Sequence, residues 1–351
     1  MTQSERIDFS RLLQSRKHQI TDKLIECQFA KQPILKQRYT AYDLEQYHND
    51  CSFHIDFLSQ AYTYESPTLF RDYIIWAKQL FHSLRIPNEH VRVFFQCFKE
   101  VIEAELVSET ESVINQYLEI ATQELDSEDI VTSSYIDTNA PYNEEAKYML
   151  ALLLEGKKDH AFRYAEDLIR NGLSIQDLYL HIFQTVQYET GRLWHANQIS
   201  VAKEHYITAA TQLIMSQFYA RIFCCERNGH SLVAACISGE QHEIGLRMVV
   251  DLMEIEGWDT YFLGANTPAE SIPGIIAFRK VNLLALSVTL STNLQKVENF
   301  ITSIKQQLPY LKVIVGGYPL NVDNELWERL GADGYGKDAL SAIAVSNQLV
   351  G

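Results

Sequence analysis

The sequence predicts a multidomain chain of the α plus α/β class. An all-α, globin-like N-terminal domain comes first, then a four-helix-bundle cap, then a C-terminal flavodoxin-like parallel α/β domain. Three observations predict this. Apolar residues recur at helical spacing from residue 1 to about 126 with no strand-like alternation between them. Four more helical patterns fill 143–225. From 231 to 349, short apolar runs without alternation take turns with helical patterns, which implies a parallel sheet covered on both faces.

The N-terminal elements follow in order. Helical spacing joins Leu12, Leu13, Ile20, Leu24 and Ile25; then Tyr47, Cys51, His54, Ile55 and Leu58; then Phe70, Tyr73, Ile74, Ala77, Leu80 and Phe81. After Pro87 it joins Val91, Phe94, Phe95, Phe98, Val101 and Ile102, and a last pattern runs from Val113 through Leu125. Pro33, Pro67 and Pro87 punctuate the region, and Pro67 and Pro87 suit the first turn of a helix. Helices of this number and length suit a globin-like or bundle fold over 1–126. Aromatic stripes at helical spacing are ordinarily core. The corner His82-Ser83-Leu84-Arg85-Ile86-Pro87 adds something more: a histidine near a helix end, followed by a Pro-started apolar helix. It resembles the proximal corner of sensor globins. With His48 and His54 on an earlier helix, and Arg71, Arg85 and Arg92 available to propionates, that resemblance implies a pocket for a flat tetrapyrrole. Residues 127–142 are polar and acidic, lack periodicity and read as a linker.

The cap is expected over 143–226. Its helices are Glu144 to Glu155, stopped at Gly156; Lys158 to Arg170, stopped by Asn171-Gly172; Ser174, with Asp177 in capping-box position, to about His195; and Ser200 to Cys224. The α/β domain is expected over 227–351, with strands Ser231–Ser238, Asp259–Leu263, Asn282–Thr289, Lys312–Val315 and a short Gly334–Tyr335.

Three consecutive strand ends carry polar or glycine elements. Glu240-Gln241-His242-Glu243-Ile244-Gly245 follows the first strand, Ser287-Val288-Thr289 ends the third, and Gly316-Gly317 ends the fourth. Open α/β sheets bind ligands at this rim. One histidine after a strand is ordinarily a loop or capping residue. Three elements on three strand ends, with 41 residues between Gly245 and Ser287 and 26 between Thr289 and Gly316, argue for a site.

These residues resemble the cobalamin-binding domain signature Asp-x-His-x-x-Gly, Ser-x-Leu, Gly-Gly. The resemblance implies that His242 replaces the cofactor's own dimethylbenzimidazole as lower ligand to cobalt, with Glu240 as its carboxylate partner. It also implies a slot for the displaced nucleotide tail beside Gly245, Ser287, Thr289, Gly316 and Gly317. Imidazole suits a transition metal, and a carboxylate behind it fixes its tautomer and raises its basicity. The sequence departs from the signature twice: Glu240 stands in place of Asp, and Thr289 in place of Leu.

Upstream, Trp194-His195 precedes Glu204-His205, with nine residues between Trp194 and Glu204. This resembles the Trp-x9-Glu-His motif in the cap of adenosylcobalamin photoreceptors, including light-responsive MerR-type repressors. The resemblance implies that Trp194 packs on the 5′-deoxyadenosyl group and that Glu204 and His205 line its pocket. His195 then matches the residue that ligates cobalt from above after photolysis.

Bulk properties narrow the function. A net charge of −15 argues against a nucleic-acid surface, no apolar run reaches the ~20 residues of a membrane helix, and the polar N-terminus lacks a signal-peptide core. The MerR-type relatives carry a basic DNA-binding domain where this chain has an acidic helical one. Six cysteines without framework spacing read as reduced thiols in a cytoplasmic protein, and Cys224-Cys225 as the end of a helix. The architecture resembles photocobilins, which pair a photoactive cobalamin with a bilin. It implies a non-enzymatic photoreceptor holding adenosylcobalamin, with biliverdin near His82, light-dependent homo-oligomeric assembly and a downstream signalling partner. The resemblance covers 143–351 closely and 1–126 loosely. Two alternatives stand beside it: a corrinoid methyl-carrier protein of a methyltransferase system, and a cobalamin-binding signalling scaffold.

Overall fold

The computed structural model describes residues 3–105, 111–127, 133–136, 139–223 and 226–351. It divides into two units. The first is Met1–Ile130 with Leu290–Gln295 and Val322–Leu326; the second is Val131–Thr289 with Lys296–Asn321 and Trp327–Gly351. The molecule is mostly helical, with a parallel α/β sheet towards its C-terminus.

The first unit holds α1 (Gln3–Lys31), α2 (Pro33–Arg38), α3 (Ala41–Thr63), α4 (Pro67–Ser83), α5 (Asn88–Glu105) and α6 (Glu111–Asp126). Local chemistry starts several of these helices. Thr40 and Asp43 form a reciprocal capping box at α3, and Pro33 and Pro67 occupy first-turn positions of α2 and α4. Pro87 stands just ahead of α5, where its carbonyl accepts the His90 N–H at 2.9 Å. α1 packs on α3 and α5, and α4 packs on α6. The apolar faces read from the sequence bury Leu24, Ile55, Leu58, Phe70, Ile74 and Phe98, each contributing roughly 1.5–3 kcal/mol.

The most aromatic part of this core surrounds His54, which is buried against Tyr73, Phe81, Phe94, Phe95 and Phe98. The Tyr73 hydroxyl meets its Nδ1 at 2.7 Å. Burial pushes the His54 pKa down to about 3, so the ring is neutral.

In the second unit, α7 (Asn143–Leu154) and α8 (Lys158–Arg170) lead into α9 (Ile175–Asp177). A π-helical segment, Leu178–Phe183, joins α9 to α10 (Gln184–His195), and α11 (Val201–Ser216) and α12 (Tyr219–Ile222) follow. Ser174 and Ser200 cap α9 and α11 by accepting the Asp177 and Lys203 N–H. Gly172, at φ +103, ends α8. The fourth expected helix stops at Ser216 and resumes as a single turn. Cys224-Cys225 lies outside the described residues, as does part of the expected linker, within which Tyr135 N–H donates to Glu189 at 2.9 Å.

The sheet contains β1 (Ser231–Ile237), β2 (Asp259–Thr267), β3 (Leu283–Ser287), β4 (Lys312–Gly316) and β5 (Gly334–Gly336), all parallel, in the order β2-β1-β3-β4-β5. Connecting helices are α13 (Ile244–Ile255), α14 (Ile272–Arg279), α15 (Leu294–Gln307), α16 (Tyr318–Val322), α17 (Leu326–Arg329) and α18 (Ala339–Val350). β1 is buried from its second residue onward, as a strand covered on both faces should be. β2 runs past its expected end at Leu263 because register shifts against β1 carry the pairing on to Thr267. The chain leaves β1 for one side and returns to β3 on the other, so the crevice at the carboxyl ends of β1 and β3 is the switch point of the fold.

Polar contacts seat the helical layer on α13. Tyr179 Oη donates to Asp251 at 3.0 Å, and Arg247 donates to Ser216 Oγ at 3.0 Å and Tyr219 Oη at 2.9 Å.

Candidate functional site

The site begins where β1 ends. Gly239, at φ +92, turns the chain, and its N–H donates to Asn266 Oδ1 at 2.8 Å. Glu240 N–H bonds back to Ile237 O, and its own carbonyl accepts the Asn266 N–H, both at 2.9 Å. This loop drives the Glu240 carboxylate completely out of solvent. Oε1 accepts from His242 Nδ1 at 2.6 Å and from the His242 N–H at 3.2 Å, while Oε2 accepts the Thr289 N–H at 2.8 Å. A buried carboxylate is tolerable only when satisfied in this way. The longer glutamate arm therefore reaches both its histidine and the end of β3.

The consequence for His242 is direct. Its side chain is 53% exposed, Nδ1 is committed to Glu240, and Nε2 has no hydrogen-bond partner among the described residues. The hydrogen bond to Glu240 raises the His242 pKa against the opposing effect of burial, and the charges of Glu240 and Glu204 add to the rise. The ring is held in one tautomer with a basic nitrogen turned outward, which is the state a metal needs from imidazole.

The other strand ends complete the rim. Ser287 pairs in register with Gly316. Gly317 has φ +115, and a Cβ there would lie 1.9 Å from Val288 O, so no other residue fits. At Gly316 a Cβ would stand 3.0 Å from Gly336 O. Gly245, in the first turn of α13, has nothing within 4 Å of a Cβ position, which leaves open space beside His242. Glu240, His242, Thr289 and the Gly316-Gly317 pair thus converge from three strand ends. A free imidazole nitrogen, a glycine cradle and open space beside them fit a large cofactor ligated through a metal.

The residues expected in the cap lie on α10 and α11. Trp194 and His195 end α10; the indole is 36% exposed, His195 is buried, and the two rings are 6.4 Å apart. Glu204 and His205 occupy the first turn of α11, where His205 Nδ1 pairs with Glu204 and the Thr208 hydroxyl lies 3.0 Å from the Glu204 carboxylate. Glu204 is close enough for its charge to act on His242. His205 is 74% exposed and faces solvent.

The sequence reading missed a direct link between the layers. Glu243, an unspecified position in the signature, accepts from Gln212 Nε2 of α11 at 2.9 Å and from the Ala265 N–H at the end of β2 at 2.6 Å. Asn266, at φ +51, was also missed, although asparagine tolerates such a turn.

In the first unit the corner expected after His82 lies between α4 and α5. His82 is exposed at the end of α4, before the positive-φ turn at Arg85, and His54 is the histidine inside the aromatic cluster. Of the arginines offered to propionates, Arg71 pairs with Glu124 and Arg92 with Asp126 at 3.0 Å, both on α6. A shallow cleft near the corner is lined by Lys78, Phe81, Asn88, Val91, Arg92 and Leu125.

Three family models match successive parts of the chain. A B12 binding domain model matches residues 230–344, a second B12 binding domain model matches 146–219, and a Phycobilisome protein model matches 1–125. The HTH-type transcriptional repressor CarH of Myxococcus xanthus is 28% identical over 144 residues, 40% of this chain and 47% of that protein. The Dimethylamine corrinoid protein 2 of Methanosarcina mazei is 25% identical over 122 residues, 34% of this chain and 56% of that protein. The chain thus spans about half the length of these curated relatives. The solved monomethylamine corrinoid protein of Methanosarcina barkeri superposes with a TM-score of 0.53 at 18% identity, over 59% of this chain and 100% of that one, a likeness of fold. The chain carries B12-binding domains across its cap and sheet, which indicate a cobalamin or related corrinoid cofactor, and a phycobilisome-type domain at its N-terminus.

Proposed function

We propose that the protein is a light sensor, not an enzyme, whose chromophore is adenosylcobalamin held between the cap and the sheet. The observation that carries this reading is the Glu240–His242 pair, with its outward Nε2, lying within the electrostatic reach of Glu204 on a cap that presents an exposed indole. When bound, adenosylcobalamin supplies a Co–C bond that light breaks.

The protein's own groups do the rest. His242 Nε2 would hold the cobalt, and Glu240 would keep its lone pair available by holding Nδ1. The backbone around Ser287, Thr289 and Gly316-Gly317 receives the nucleotide tail. Trp194 offers a flat apolar face with one hydrogen-bond donor to the adenosyl side, and Glu204 and His205 border it. His195 would be a second residue to hold the cobalt once the adenosyl group is gone; because it is buried in the structure, it would have to leave its packing to do so. Such a rearrangement couples light to the cap, and we place the output in a change of self-assembly and in a downstream signalling protein. The phycobilisome-type match over 1–125 supports a second tetrapyrrole, biliverdin, in a globin-like N-terminal domain.

The test is spectroscopic. Full-length protein loaded with adenosylcobalamin in the dark should change its absorbance on illumination, and His242→Ala should bind weakly and lose the imidazole-ligated spectrum. An unchanged spectrum on illumination overturns the sensor reading. Protein produced with a biliverdin supply should acquire a second absorbance that a cobalamin supply alone does not give.

A second reading, a corrinoid methyl carrier, is favoured by the likeness to the corrinoid proteins. It predicts a cobalamin spectrum insensitive to Trp194→Ala and methyl exchange with a partner enzyme.

A further inference from the structure

A side-chain cluster in the first unit, outside the cobalamin site, has the donors and spacing of a transition-metal site. His18 and Asp22 lie one turn apart on α1, and His48 meets them from α3. His18 Nδ1 is 3.0 Å from Asp22 Oδ2, and His48 Nε2 is 3.4 Å from Asp22 Oδ1. The three donor atoms all lie within 4.8 Å of one another. Ligands bound at ~2.05 Å to a tetrahedral ion stand roughly 3.4 Å apart, and each imidazole nitrogen already stands near that distance from one oxygen of the Asp22 carboxylate. The His18 side chain is 82% exposed, so a small turn of its ring can adjust the remaining distance.

Two further observations separate this cluster from an ordinary surface ion pair. His48 Nε2 is a buried atom that makes no hydrogen bond, its approach to Asp22 notwithstanding. A polar atom buried in that state is costly unless something uses it. Asp22 also has no lysine or arginine partner among the described residues, whereas Asp56 of α3 takes Lys17 of α1 at 2.8 Å. The carboxylate is met by two imidazoles whose ring centroids are 4.6 Å apart.

We propose that His18, Asp22 and His48 bind a divalent first-row transition ion of the zinc class, clamped between α1 and α3. Two imidazole nitrogens with one carboxylate select such an ion over calcium or magnesium, which favour oxygen ligands. Three protein ligands leave a further coordination position to solvent. The bound ion ties α1 to α3, so its presence should stiffen the phycobilisome-type domain.

The experiment titrates tag-free, full-length protein with Zn2+ in competition with a chromophoric chelator, beside His18→Ala and His48→Ala. All other histidines, including His242, are common to the three proteins, so differences report this cluster alone. Wild type should bind one more equivalent of Zn2+ than either variant, or bind it at least tenfold more tightly. Zn2+ should also raise the melting temperature of wild type and leave that of His18→Ala unchanged. Because the His18 side chain is 82% exposed, its removal leaves the core intact and keeps the test valid if His48→Ala folds poorly. Equal stoichiometry and affinity in wild type and His18→Ala overturn the proposal, as does equally tight binding of Mg2+ or Ca2+ at the cluster.

Discussion

The Glu240 carboxylate shows how much one side chain can organise. It is fully buried, yet both of its oxygens are satisfied, by His242 and by the backbone of Thr289. Glu240→Gln keeps the size and removes the charge, so His242 loses its charge-assisted partner. Cobalamin affinity should fall ~10–100-fold, measured by titration in the dark; wild-type affinity would place the partner elsewhere. A second residue-scale prediction concerns His54. Its folded-state pKa is depressed to about 3 while the unfolded chain binds a proton near 6.5. The stability owed to the neutral ring is therefore complete above pH 6.5 and is lost progressively as pH falls from there towards 3, by on the order of 1 kcal/mol per pH unit. Urea denaturation of His54→Leu should show a shallower acid loss over that window than wild type. Parallel pH profiles would remove His54 as the cause.

At the scale of elements, the site depends on strand ends that approach too closely for ordinary residues. β3 and β4 meet where Val288 N–H donates to Gly316 O at 3.0 Å, and the next residue, Gly317, leaves no room for a side chain. Gly317→Ala combines positive-φ strain with a clash against Val288 O. It should destabilise the chain by about 3 kcal/mol or more, read as a lower midpoint in urea. Gly245→Ala, with open space around it, should leave that midpoint nearly unchanged and act only on cobalamin binding. A Gly317→Ala variant as stable as wild type would show that the β3–β4 junction can spread.

For the molecule as a whole, the cap and the sheet must report on one another. They are joined by Gln212 to Glu243, by Arg247 to Ser216 and Tyr219, and by Tyr179 to Asp251. A light signal acting through the cap should therefore appear as a dark–light difference in oligomer size by light scattering. Trp194→Ala should blunt that difference by removing the indole proposed to face the adenosyl group. His195→Ala should leave photolysis intact and lose the stable light-state spectrum. Coincident illuminated spectra of His195→Ala and wild type would remove His195 as upper ligand and leave His205 as the next candidate. At this scale the chain carries a net charge of −15, and no helix among the described residues is long and apolar enough to cross a membrane.

Sequence periodicity alone determined the helices of 1–126, the five parallel strands and the strand ends that carry Glu240-x-His242, Ser287-x-Thr289 and Gly316-Gly317, because local apolar spacing and turn residues encode them directly. Only the tertiary structure decided which of those residues meet. Glu240 reaches Thr289 across 49 positions, and Gln212 reaches Glu243 across 31. Cys27 and Cys97, which read from the sequence as two unrelated thiols, stand 2.6 Å apart on α1 and α5. Which of His48, His54 and His82 the core encloses was likewise left to the packing. Helical spacing marks a face, but the rotation of α4 and α5 against α3 selects which histidine that face encloses, and His54 is the one ringed by Tyr73, Phe94, Phe95 and Phe98. Contacts between elements depend on their packing angles and register, and those follow from the whole core at once rather than from any stretch of chain.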